Sequence, residues 1–210
     1  MENIYFLGGS PCCGKSTIAE RICEKHGFQY YKVDDYLEKY IKLGAEEGNE
    51  WLTYITKKSM DELWLRDPSV LHDEEFRNYE NLFPYFKSDI EKMDNKIPVI
   101  TEGATFLPYL MDKIKIDKRH YVCIVPTEKF QLDQYKKRPW VNDYLSSCSN
   151  KEEAFNNWMK RDIMFASSVL KQAKELSYKT LIVDGTLSID DNVLFIEKCF
   201  GLLNGLKVEI

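Results

Sequence analysis

Eight residues near the start constrain this chain more than any others: Gly9-Ser10-Pro11-Cys12-Cys13-Gly14-Lys15-Ser16. They follow a short apolar run, Asn3 to Leu7, closed by Gly8 and Gly9. After them Ile18, Ile22 and Cys23 recur at helical spacing until Gly27 offers a left-handed stop. A GxxxxGK[ST] pattern between a strand and a helix is a loop whose amides curl into a nest at a helix N-terminus, where orphan N–H groups and the macrodipole favour an anion. Gly9 and Gly14 let the backbone turn and approach without a Cβ in the way. Such a loop suits a polyphosphate, with Lys15 reaching the β- and γ-phosphates and the Ser16 hydroxyl ligating Mg²⁺. The contacts it implies are Gly9, Ser10, Cys12, Cys13, Gly14, Lys15, Ser16 and Thr17. By chance the pattern arises in roughly one chain of this length in a hundred.

Further strand signals alternate with helical ones. Phe28 to Val33 ends at Asp34 and Asp35, Ile97 to Thr101 at Glu102 and Gly103, His120 to Val125 at Pro126, and Thr180 to Val183 at Asp184 and Gly185. Helical stretches long enough for crossovers separate them, which implies a parallel five-stranded α/β sheet covered on both faces. The 210 residues read as one domain. Two stretches exceed a crossover. One is a helical insert over about 36–94, with Pro68 and Pro84 as breakers and aromatics at loosely helical spacing (Trp51, Tyr54, Phe76, Tyr79, Phe83). The other, Thr127 to Leu176, has a lid region at about 127–160; Thr127 is placed to cap one helix, and Ser149 with Glu152 reads as a capping box for the next. There Phe155, Trp158, Met159, Ala166, Val169, Leu170 and Ala173 form an apolar stripe.

Composition narrows the function classes. A net charge of -5 and a pI near 5.4 argue against a broad phosphate-neutralising surface for nucleic acid. No run approaches the ~18 apolar residues of a membrane span, and Met1 to Leu7 carries no basic region, so neither membrane nor secretion is expected. Six cysteines without a CxxC pair and three histidines give no zinc spacing, and imply a reduced, cytoplasmic protein.

A guanine-binding protein would carry Asn-Lys-x-Asp, and neither Asn95-Lys96 nor Asn150-Lys151 has that Asp. On the phosphate loop, the strand ends and the lid, the chain resembles the small P-loop kinases, the group of nucleoside-monophosphate, shikimate and gluconate kinases and chloramphenicol phosphotransferase. The resemblance implies a three-layer P-loop NTPase fold with strand order 2-3-1-4-5, ATP and Mg²⁺ as cofactors, and a small-molecule phosphoryl acceptor.

It also assigns roles to particular positions. Asp34, or Asp35 beside it, stands where such kinases present a carboxylate to the acceptor, as a general base; the alternative for either is a helix N-cap. Glu102 stands where a metal-holding acid belongs, or else caps the Phe106 helix or pairs with a lysine. Arg138 and Arg161 fall in the lid, where arginines contact ATP phosphates; Arg161 could instead pair with a carboxylate such as Asp162 or pack its stem along Trp158. Arg66 and Arg77 would meet the acceptor were it phosphorylated or carboxylated, or else are solvated helix charges, and Gly185 and Thr186 would receive adenine. Cys12 and Cys13 lie where a helix N-terminus and Lys15 would lower a thiol pKa and make them redox-sensitive, or are simply small residues in a tight loop. No partner is evident for His26, His72 or His120. The leading function is phosphorylation of a hydroxyl, because aspartates rather than arginines follow the second strand. A nucleoside-monophosphate kinase and a non-kinase ATP-binding regulatory module are the competing readings.

Overall fold

A computed structural model describes residues 3–94 and 96–203. Met1, Glu2 and Asn95, which belong to two of the segments considered above, lie outside the described residues. Strands β1 (Ile4–Gly9), β2 (Gln29–Lys32), β3 (Val99–Glu102), β4 (Tyr121–Pro126) and β5 (Lys179–Val183) form one parallel sheet in the order β2-β3-β1-β4-β5. Leu7 and Lys32 both stand opposite Glu102, so β1, β2 and β3 deliver their carboxyl ends side by side. Strand boundaries move by one or two residues from those expected. β3 starts two residues late, and β1 runs on through Gly8 and Gly9, where its neighbours press against the backbone. A Cβ on Gly9 would stand 1.9 Å from the Ile124 carbonyl oxygen, and one on Gly8 2.5 Å from that of Phe106.

Helix α1 (Lys15–His26) stops at Gly27, whose φ of 69° lets its N–H bond Cys23 O at 2.8 Å. Its buried face, Ile18, Ala19 and Ile22, packs with Val193, Ile196 and Phe200 of α10 (Ile189–Phe200) over one side of the sheet. Each such side chain withdrawn from water contributes roughly 1.5–3 kcal/mol. Between β2 and β3 lie a 3-10 turn (Val33–Tyr36) and helices α2 (Leu37–Glu46), α3 (Glu50–Thr56), α4 (Met60–Trp64) and α5 (Pro68–Lys92). Neither proline breaks a helix. Pro68 starts α5, where its missing N–H is no loss. Pro84 lies within α5, where burial of Leu82, Phe83, Phe86 and Ile90 outweighs the ~3 kcal/mol an internal proline costs.

Helices α6 (Pro108–Lys113), α7 (Glu128–Lys136), α8 (Trp140–Tyr144) and α9 (Lys151–Glu175) complete the chain. Thr127 caps α7 as expected. The cap of α9 falls one residue later than expected, at Asn150, which accepts from Glu153 N; the Ser149 amide donates instead to Asp61 Oδ1 at 2.8 Å, tying the start of α9 to α4. Phe165, Ala166, Val169 and Ala173 of α9 enter the core on the other face of the sheet, with Phe86 and Phe106. The amino-terminal part of α9 builds a separate aromatic cluster with Trp64, Tyr135 and Trp158. No described helix is long and apolar enough to cross a membrane.

Candidate functional site

The phosphate loop is held open from beneath. Ser10 N donates to Ile124 O at 3.1 Å, and the Cys13 thiol is within bonding distance of Ser10 O (3.0 Å) and Ile124 O (3.2 Å). Positive φ angles at Gly9 (113°), Cys12 (61°) and Gly14 (82°) bend the chain around a concavity. Lys15 folds back over it, its Nζ donating to Ser10 O at 2.7 Å. Burial alone would lower the Lys15 pKa, but the Cys13 sulfur and the Glu102 and Asp34 carboxylates outweigh it, and the pKa is raised. The lysine is therefore a resident cation facing the loop.

The expected lowering of the two loop thiols does not occur. Burial pushes Cys12 up to about 11, against the opposing charge of Arg138, and burial likewise raises Cys13 despite Lys15. Desolvation exceeds the charge effect because the loop wraps both sulfurs. All six cysteines are free.

Glu102 is 2% exposed and bonded to two hydroxyls at once: Ser16 Oγ and Tyr30 Oη each donate to its Oε1 at 3.0 Å. It does not cap the helix after it, since α6 starts at Pro108 with no side-chain cap. Tyr30, on β2, was not evident from any motif; burial first and then the Glu102 charge raise its pKa well above the ordinary value, so it stays a donor. Among the described residues no three His, Cys, Asp or Glu side chains converge as a metal cluster. A Mg²⁺ held mostly by phosphates and water needs only one or two protein oxygens, and the Ser16–Glu102 pair fits that requirement.

A cavity of about 310 Å³ opens over the loop, and Lys32, Asp34, Tyr79, Glu102 and Arg138 line it together with loop residues 11–17. Asp34 lies on the 3-10 turn after β2 and is exposed; α2 is capped without any side chain, so neither Asp34 nor Asp35 is used as a cap. Lys32 carries no sequence signal, and Tyr79 only that of one aromatic among several at helical spacing. Arg138 lies 5.2 Å above the Tyr135 ring and 5.7 Å from that of Trp140. Among the described residues it has no carboxylate partner.

Arg161 is not brought to this cavity. Its side chain is 12% exposed, and a guanidinium so deeply set requires countercharge. Asp162 supplies it at 2.6 Å and Glu75 at 3.1 Å, with the Trp64 ring 4.7 Å from the guanidinium carbon. Arg161 instead lines a second cavity of about 390 Å³, walled by Trp51, Trp64, Trp158, Glu74 and Glu75. Tyr79 borders both cavities. Burial raises the Glu75 pKa, against the pull of Arg161.

Other positions are likewise otherwise engaged. Arg66 pairs with Glu74, Nη1 to Oε1 at 2.7 Å, and Arg77 stacks on Trp51 at 4.3 Å. Gly185 and Thr186 do not line the phosphate cavity: Asp184 Oδ1 caps their turn, accepting from Thr186 N at 2.9 Å. Two histidines have partners after all. His26 meets the buried Glu197 at 2.6 Å, and His72 bridges Asp73 and Ser168, each at 2.9 Å.

No protein-family profile matches the chain, and no curated protein matches it. Among solved structures, some align with most of the chain at low sequence identity. One is a gluconokinase from Sinorhizobium meliloti 1021, at 14% identity over 95% of this chain and 91% of that one, with a TM-score of 0.49. Another is a deoxyadenosine kinase from M. mycoides with bound dATP, at 15% identity over 94% and 98%, also with a TM-score of 0.49.

Proposed function

We propose that the protein is an ATP- and Mg²⁺-dependent phosphotransferase that moves the γ-phosphoryl group to a hydroxyl of a small molecule. The observation that carries this reading is the convergence, on one cavity, of Lys15 and Ser16, the buried Glu102, the cations Lys32 and Arg138, and the exposed carboxylate of Asp34. An anion-binding loop alone would serve a binding protein; an uncommitted carboxylate in the same cavity adds a proton acceptor.

Loop amides and Lys15 hold the β- and γ-phosphates. Ser16 and Glu102 are the residues that would hold Mg²⁺, which when bound neutralises charge on the phosphate oxygens. Asp34 accepts the proton of the acceptor hydroxyl as that oxygen bonds to the γ-phosphorus. The bond from phosphorus to the β–γ bridging oxygen breaks, and ADP leaves. Arg138 and Lys32 meet the charge on the group in transit. Arg161, paired with Asp162 and Glu75, serves the acceptor side by fixing a wall of the second cavity. Gly185 and Thr186 border the base of the nucleotide. Six free thiols fit a reduced, cytoplasmic setting.

The test is ADP release with Mg-ATP and a panel of alcohols, sugars and nucleosides. ADP should form in proportion to an acceptor, and Lys15→Ala should cut the rate by about 100-fold or more. Acceptor-independent turnover would favour the regulatory reading, and transfer surviving in Lys15→Ala would contradict the mechanism.

A further inference from the structure

Two cations line the second cavity, Lys58 and Arg161, and Arg66 stands behind it on a carboxylate shared with Lys58; each is already matched. Lys58, whose side chain is 4% exposed, bonds Glu74 at 2.8 Å; Arg66 bonds the same carboxylate; Arg161 bonds Asp162 and Glu75. Lys58, Arg66 and Arg161 are thus balanced by Glu74, Glu75 and Asp162, and the lining of the cavity itself carries two cations, Lys58 and Arg161, against two carboxylates, Glu74 and Glu75. A phosphate or carboxylate entering it would have to displace a buried carboxylate from its partner or remain unpaired itself, and both are strongly unfavourable away from water.

The uncharged wall is mostly apolar, its polar atoms being those of Asn78, Tyr79, Tyr144 and the indole N–H groups of the tryptophans. Trp51, Trp64 and Trp158 line it, the last two with ring centroids 4.9 Å apart, and Leu37, Ile41 and Ile55 close the other side. A molecule dense in hydroxyls would press unpartnered polar groups against those aliphatic chains. A planar ring meets aromatic faces at a favourable quadrupole and leaves few polar atoms to satisfy. At about 390 Å³ the space suits a small ligand.

Resting on the phosphotransferase reading above, we propose that the acceptor is an uncharged alcohol bearing a flat aromatic ring. The ring lies against the tryptophans of the second cavity and the hydroxyl passes Tyr79 to reach Asp34. This excludes monophosphates and sugar acids as acceptors, and assigns Glu74 the role of a specificity determinant that keeps Lys58 and Arg66 from binding an anion.

Three of the four tryptophans of the chain line the cavity, so intrinsic fluorescence reads its occupancy. With the full chain, Mg-ATP binding is measured first by calorimetry; its absence would remove the phosphotransferase reading itself. Uncharged nucleosides and benzylic alcohols are then compared with nucleoside monophosphates, sugar acids and neutral monosaccharides, by tryptophan quenching and by ADP release. The expected result is quenching and transfer for at least one uncharged aromatic alcohol, at a kcat/KM ten-fold or more above its phosphorylated or carboxylated counterpart. Trp64→Phe should raise the acceptor KM several-fold without changing ATP affinity, and Glu74→Gln should narrow the discrimination against the anionic counterpart at least ten-fold. Mg-ATP binding accompanied by transfer to monophosphates, sugar acids or monosaccharides alone, or by no quenching and no transfer with any aromatic alcohol, overturns the proposed class while leaving the loop chemistry standing. Should either variant fail to fold, the wild-type panel still decides.

Discussion

The Tyr135 hydroxyl donates to Asp162 Oδ2 at 2.8 Å while Asp162 Oδ1 takes both Nε and Nη2 of Arg161. One buried carboxylate therefore joins α7, at the edge of the phosphate loop, to the wall of the second cavity. Cys12 of the loop lies within the influence of both Tyr135 and Asp162. The cavity over the loop and the second cavity are connected through hydrogen-bonded groups rather than through loose packing, which gives the two a shared geometry.

Tyr135→Phe keeps the ring and removes only the donor. Asp162, 1% exposed, retains Arg161 but loses its second partner. A hydrogen bond to a buried charged group is worth about 1.5–3 kcal/mol, so urea unfolding should show that loss at an unchanged m-value. An unfolding midpoint equal to wild type would mean that the bond contributes nothing.

Glu102→Gln leaves the volume of the side chain almost unchanged and removes its charge. Ser16 and Tyr30 keep an acceptor, so the fold should hold, but the pair of oxygens loses its anion. The apparent Mg²⁺ affinity in an ATP-dependent assay should fall by about 10–100-fold. A magnesium titration that superimposes on wild type would remove Glu102 from the metal site.

Two arginines that look equivalent as letters should behave oppositely. Arg138 rests on aromatic rings with no carboxylate partner among the described residues, whereas Arg161 is the countercharge of Asp162 and Glu75. Arg138→Ala should lower kcat by about 100-fold with little change in melting temperature. Arg161→Ala strands two buried carboxylates and should cost about 3–5 kcal/mol of stability. Thermal melts and turnover on the same pair of variants separate the two roles.

What can be read from the chain follows the range over which each feature is specified. The loop Gly9–Ser16 and the cap at Thr127 depend on residues a few positions apart, and both stand where their local patterns put them. The cap at Asn150 shows the limit of that reading: Ser149 and Asn150 are both competent, and Asp61, 88 residues away in sequence, engages Ser149. Glu102 is placed by a strand end, but its second donor, Tyr30, comes from 72 residues away and belongs to no pattern. Lys32 and Tyr79 meet the phosphate cavity only because β2 and α5 converge there. The fate of Arg161 depends on Glu75, which an insert of unknown packing brings to it. Helical periodicity identifies an interior-edge arginine; whether it faces phosphate or carboxylate is decided by tertiary contacts.

The thiol chemistry of the loop offers a test over pH. Burial raises Cys12 from 9.0 to about 11, Arg138 works against that rise and Asp162 adds to it. A raised thiol pKa keeps the sulfur protonated below it, so the reactive thiolate increases about ten-fold for each pH unit up to that value. At pH 8 a shift of this size leaves about 100-fold less thiolate than an ordinary cysteine would have. Alkylation of Cys12 by iodoacetamide, followed by mass spectrometry of its peptide, should be slower than that of free cysteine by about that factor and should climb steadily through pH 10. Arg138→Ala removes the one charge that favours the thiolate and should slow it further, whereas Mg-ATP filling the loop should protect the sulfur at every pH. Reaction at pH 7 as fast as that of free cysteine would instead mean that the nest of amides prevails over burial, and would restore the loop thiols as a redox-sensitive element.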